Sequence, residues 1–289
     1  MGGLSALSLG VADFIASQNS TRIGAARSLL GMLLVSSVVL SVFLLLQGGF
    51  SELFIPTKVR SVLLASLHGF TMAFALLLFF YAMSIGKISV VAPIVASHPL
   101  VIVIFRAAQG EHLATTQIVA VIGVLTGVAL VGASGGNHSP NDRQARYHAK
   151  WQIVVCISLA SSLIYGTAIL FLQSAANDIT ISQVLWFGRV VGFTTILIYI
   201  LSKRRTPFPP SSNWWPLFAF HGMLDSGGLL FLLLGTNGSP NDTLTAVVAS
   251  TFPVITMGLA WLLLNERVRP IQLLGTGLVL AGVSTIVGH

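Results

Sequence analysis

From its first residues the chain alternates between apolar runs of about twenty residues, the length that crosses a ~30 Å hydrocarbon core as an α-helix, and short polar breaks. The runs fall at 3–18, 24–47, 60–84, 88–107, 113–133, 151–174, 180–201, 214–235, 243–264 and 269–288. They predict an all-α membrane protein of ten transmembrane helices. The longest polar stretch, residues 135–150, is rich in Gly, Asn, Ser, Pro and charge and reads as a linker between halves 1–134 and 151–289. Residues 1–18 lack a basic leader and contain Asp13, so they read as the first membrane helix rather than a signal peptide.

The two halves repeat each other. At an offset of 153, His68-Gly69 meets His221-Gly222 and Val95-Ala96-Ser97 meets Val248-Ala249-Ser250. With two one-residue insertions Pro99 meets Pro253, Glu111 and Gln117 meet Glu266 and Gln272, and Gly127-Val128 meets Gly282-Val283. Five spans per half is an odd number, so the second copy enters the membrane from the opposite side. Two inverted five-helix repeats place a cavity near mid-membrane between bundles that can rock to expose it to either side.

Charge sharpens the picture. Only 8% of the 289 residues are charged and 54% are hydrophobic, which leaves no water-facing domain. The net charge of +7 is scattered in short groups between apolar runs, a loop pattern rather than a nucleic-acid surface. Connections after the odd-numbered spans hold Arg22, Arg27, Lys87, Arg143, Arg146, Lys150, Lys203, Arg204, Arg205, Arg267 and Arg269. The other side holds Lys58, Arg60 and Arg106, with Arg189 inside a span. This bias puts the odd-numbered loops in the cytoplasm of a plasma (inner) membrane protein. The single Cys156 lies in an apolar run, where packing is the expected role.

These features resemble the drug/metabolite transporter superfamily in its EamA-type ten-helix form, over essentially the whole chain. The residues that carry the likeness are the two Glu-x5-Gln segments at Glu111 and Glu266, each followed by a Gly-rich last helix, and Gly-x-x-Asp-Phe at Gly10 to Phe14. The resemblance implies a secondary transporter, commonly an exporter of amino acids, metabolites or toxic compounds. It also implies a cavity lined mainly by the first, third, fourth, sixth, eighth and ninth helices.

Ionisable groups cost roughly 2.5–3.5 kcal/mol at the centre of a membrane helix, so those kept there are functional candidates. Asp13, His68, Arg189, His221 and Asp225 qualify. His221 and Asp225 stand at i and i+4 on one helix face and could exchange a proton, with Arg189 or His221 as the alternative structural partner of Asp225. Asp225 aligns with Met72 and Asp13 has no acidic counterpart, so the halves are not equivalent. His68 and His221, each before a Gly, suit close helix packing; His68 is also a cavity-lining candidate. Ser97 and Ser250 precede Pro99 and Pro253, where a proline frees a backbone carbonyl that a cavity can tolerate. Tyr81, Tyr165 and Trp186 offer stacking surface for an aromatic or cationic solute. Glu111 and Glu266, in short turns before the fifth and tenth spans, read as structural helix caps. The glycines Gly123, Gly127, Gly275, Gly277 and Gly282 mark close helix contacts, within one chain or across a homodimer.

Several signals carry no weight. Gly132-Ala133-Ser134-Gly135 ends a helix and is no protease motif, the two Ser-Pro-Asn-Asp strings are out of repeat register, and the four Asn-x-Ser/Thr triplets matter only in a glycosylating pathway. A phosphate-binding loop, a metal-ligand pattern and any cofactor signature are absent from the sequence. The expected partners are the lipid bilayer, a small-molecule solute and protons. The expected function is alternating-access transport of a small organic metabolite or drug, as an exporter. Uptake is the alternative within transport, and a membrane enzyme or lipid-handling protein is the alternative from another class.

Overall fold

In hydrocarbon a backbone finds no hydrogen-bond partner but itself, so a chain of long apolar runs must fold as helices. The computed structural model describes residues 1–49, 58–134, 151–209, 211–236, 242–266 and 268–287. Among these every regular element is helical. The linker 135–150, with Arg143, Arg146 and Lys150, and also Arg267, lies outside the described residues.

The first half comprises α1 (Gly2–Ile23), α2 (Ala25–Leu46), α3 (Val59–Ile85), α4 (Ile88–Val95), α5 (Pro99–Ala108) and α6 (Thr115–Ser134). The second comprises α7 (Trp151–Ala175), α8 (Ile181–Ser202), α9 (Trp215–Thr236), α10 (Asp242–Ala249), α11 (Phe252–Leu264) and α12 (Pro270–Val287). The pairs α4/α5 and α10/α11 are each one span broken in the middle. Counting them so, nine spans among the described residues are long and apolar enough to cross a membrane. The tenth, α1, is as long but less apolar, because Ser5, Ser17, Asn19 and Ser20 on it are turned inward and buried. Helix and run boundaries agree within two residues except at the end of α1, which continues to Ile23 through a polar stretch.

The repeats interlock by exchange: α3 packs on α7 and α8 of the other half, and its counterpart α9 packs on α1 and α2. Close approach at these seams is made by small residues, as membrane helices require in the absence of a hydrophobic drive between them. A Cβ at Gly69 on α3 would lie 3.0 Å from the Cα of Gly188 on α8, and one at Gly222 on α9 would lie 2.9 Å from the Met32 carbonyl on α2. The last helices of the two halves, α6 and α12, pair tightly. A Cβ at Gly127 would come 2.5 Å from the Gly275 carbonyl, and one at Gly282 would come 2.7 Å from that of Ala120. These glycines are therefore used inside one chain, whereas Gly277 faces open space. Leu46, Leu63 and Ile198, 83%, 64% and 67% exposed, belong to the apolar outer surface. Cys156 lies on that exposed surface and not in the core.

Candidate functional site

Breaking a span in mid-membrane requires local partners for the freed backbone. In the first half the helix stops at Val95 and restarts at Pro99, whose missing N–H costs nothing at a helix start. The Ser97 hydroxyl donates to the Ile94 carbonyl (2.7 Å) and lies 3.2 Å from the Ser162 hydroxyl. His98 Nδ1 donates to the Val95 carbonyl at 3.2 Å. In the second half the helix stops at Ala249 and restarts at Phe252, and the Ser250 hydroxyl donates to the Val247 carbonyl at 2.7 Å. The two breaks face a common cavity of about 420 Å³, which Ala96, His98, Pro99, Ala249, Ser250 and Phe252 help to line. That volume suits a small organic molecule, since ligand sites span roughly 300–1,000 Å³.

Charge enters the cavity at two places. On α8 and α9, Arg189 Nη2 lies 2.8 and 3.0 Å from the two Asp225 carboxylate oxygens, and the side chains are only 9% and 13% exposed. Ser36 on α2 donates to Asp225 at 3.0 Å and accepts from Ser226 at 2.7 Å. On α1, Asp13 lines the same cavity and makes no hydrogen bond or ion pair among the described residues. The site thus holds one locked carboxylate and one open to the cavity.

The two histidines of the repeat part company. His68 lines the cavity and donates through Nδ1 to the Ala168 carbonyl of α7 at 2.8 Å. His221 is 1% exposed, stacks on Phe80 with centroids 5.8 Å apart, and its Nδ1 has no partner among the described residues. It makes no bond to Asp225. The i, i+4 spacing puts the two on neighbouring turns, but Arg189 and Ser36 occupy the carboxylate.

Of the aromatic candidates, Tyr165 lines the cavity with its ring 4.3 Å from that of His98. Tyr81 is 47% exposed on the outer surface and does not line it. Trp186 stands away from it, donating from Nε1 to the Ser41 hydroxyl at 2.7 Å. Ser97 is buried beside the break without reaching the cavity. His98 and Ser36 are the site residues that sequence reasoning overlooked. His98 sits between Ser97 and Pro99, inside a span whose break makes room for a polar ring.

The walls are aliphatic, with Leu9, Met72, Leu76, Ile169, Leu229 and others, and Thr236, Ile181 and Val287 carry the lining to one end of the bundle. That end holds the even-numbered connections. At the other end an apolar plug of Phe14, Ile88, Ala92, Ala260 and Leu264 closes the way. Behind it, Glu266 accepts hydrogen bonds from the Ile88 and Ser89 amides at 3.2 Å each. It caps α4 of the other half, not the α12 that follows it. Glu111 is exposed and caps no helix among the described residues.

The EamA-like transporter family model matches residues 1–133 and 152–288. A solved crystal structure described only as that of a protein is 18% identical, with 97% of this chain and 96% of that chain covered and a TM-score of 0.59. That likeness speaks to the fold. Comparison with curated proteins gave no significant match.

Proposed function

Because the chain belongs to the EamA-like transporter family, matched in both halves, we propose that it is a secondary active transporter that exports a small organic solute by alternating access. The observation that carries this is a cavity between the two repeats, framed by the short turns that interrupt one span of each, the kind of place in which such carriers hold substrate. Family membership makes it a membrane protein of a group that moves small solutes.

Within that reading Asp13, rather than Asp225, is the group that exchanges a proton or meets a cationic part of the solute. Asp225 is engaged by Arg189 and Ser36, while the Asp13 carboxyl lines the cavity without a partner among the described residues. The aliphatic walls take an apolar body, and the Tyr165–His98 pair offers it an aromatic edge. The bias of Lys and Arg toward the odd-numbered connections supports a cytoplasmic position for them, and with it a described conformation that opens outward.

The test is flux of a metabolite and drug panel in proteoliposomes, with and without an imposed pH gradient, comparing the native chain with Asp13→Asn and Asp225→Asn. We expect at least one solute to move, with gradient-driven movement lost in Asp13→Asn and downhill exchange retained. No movement of any solute through folded protein would overturn the transport reading; equal gradient drive in Asp13→Asn would remove Asp13 from it.

A further inference from the structure

The inverted repeat gives each half the same device for presenting a carboxylate. Just past the end of α5 stands Gly110 (φ 91°) and just past the end of α11 Asn265 (φ 53°), both at positive φ, which Gly adopts freely and Asn tolerates best. Each reverses the chain and presents the next residue, Glu111 or Glu266. The outcomes differ. Glu266 reaches the first turn of α4, while Glu111 stays exposed. Correspondingly α11 packs on α4, and the symmetry-equivalent α5 and α10 have no comparable interface among the described residues. Two repeats of the same family fold hold two different arrangements at once, which is what two alternating gates look like when one is shut.

A second observation falls at the shut end. Among the described residues, buried side-chain polar atoms without a hydrogen-bond partner occur on Asn19, Ser20, Ser28 and Ser89, besides His221. Asn19 and Ser20 lie in the last turns of α1, Ser28 in the first turn of α2 and Ser89 in the first turn of α4. All four belong to the end closed by Phe14, Ile88, Ala92, Ala260 and Leu264. Buried polar side chains that find no partner within the protein are few in native structures and call for a reason. A surface that is wetted in another state supplies that reason.

We propose that Glu266 is the latch of the gate at the odd-numbered connections: its carboxylate ties the end of α11 to the first turn of α4, and its release opens the cavity to that side. Water then reaches Asn19, Ser20, Ser28 and Ser89, which line the vestibule so formed. The latch suits the task because the Ile88 and Ser89 amides are orphans of a helix start, buried at 1% and 0% exposure. A carboxylate satisfies both at the positive end of the helix dipole, and incoming water can replace it. This inference rests on the alternating-access reading above and adds to it the part that holds one state.

The experiment measures access to two cysteines, each in a Cys156→Ser chain in sealed vesicles probed from either side with a membrane-impermeant maleimide. Ser20→Cys reports the shut end and Thr236→Cys the open end. Glu266→Gln keeps size and one acceptor but loses the charge; Glu266→Ala removes both; Glu111→Gln is the control. The latch predicts that Glu266→Gln raises the labelling rate at position 20 about tenfold, the factor that ~1.4 kcal/mol represents. It also predicts slower labelling at position 236 and no effect of Glu111→Gln at position 20. Equal labelling of position 20 in all variants would mean that the gate opens without the latch, which overturns the latch alone. Position 20 unreactive in every variant, with solute and pH gradient present, would mean that the shut end never opens, and the alternating-access reading falls with it.

Discussion

Replacing Arg189 with Gln should be the most damaging single polar change in the cavity. The guanidinium meets both Asp225 oxygens, at 2.8 and 3.0 Å, with the two side chains 9% and 13% exposed. Removing one member of such a pair strands the other, at a cost of about 3–5 kcal/mol when burial is complete. Here Ser36 still donates to Asp225 and the cavity admits some water, so the low end, about 3 kcal/mol, is expected. Asp225→Asn relieves the stranded charge and keeps a partner for Ser36. The double variant should therefore be more stable than the two single losses added together by at least ~1.5 kcal/mol, the size of coupling seen between contacting charges. Unfolding of the detergent-solubilised protein, followed through its five tryptophans, measures all four corners of the cycle. Simple additivity would show that the ion pair contributes nothing specific and that Arg189 faces the cavity for another purpose.

Other expectations follow from single contacts. Asp13→Asn should leave thermal stability within about 1 kcal/mol of the native protein, because no bond among the described residues is lost, while abolishing pH-gradient-driven flux; a large fall in stability would show a structural role. Gly127→Ala should cost about 1–3 kcal/mol by forcing α6 from α12, read in the same unfolding assay, whereas Gly277→Ala should be near neutral. Tyr165→Ala should weaken solute binding several-fold, by about 1 kcal/mol for a lost aromatic contact, as read from the KM of flux. Tyr81→Ala, on the outer surface, should leave that KM unchanged.

The spans and their boundaries were legible because hydrocarbon permits only one solution for long apolar runs, and the repeat was legible because His-Gly and Val-Ala-Ser recur in register. The breaks in the fourth and ninth spans were half visible in Ser97, Pro99, Ser250 and Pro253. A proline marks where a helix can restart, but of the two serines expected to line the cavity only Ser250 does so. What sequence could not give was rotation about each helix axis. Tyr81 and Tyr165 are equally apolar in context, yet one faces outward and the other the cavity. The same limit hid the convergence on Asp225: i, i+4 spacing pointed to His221, while Arg189 and Ser36 arrive from other helices. Glu266 was legible as a cap but not as a cap of α4, since its target lies 178 residues away in the chain.

The most direct measurement is exchange of a transported solute across proteoliposomes preloaded with the same solute unlabelled. Alternating access through the described cavity predicts that tracer entry overshoots equilibrium and then decays, and that Leu229→Trp, which fills the cavity wall, abolishes the overshoot while the protein remains folded. Tracer that only drifts to equilibrium, at a rate indifferent to the internal load and to Leu229→Trp, would contradict a carrier that works through this cavity.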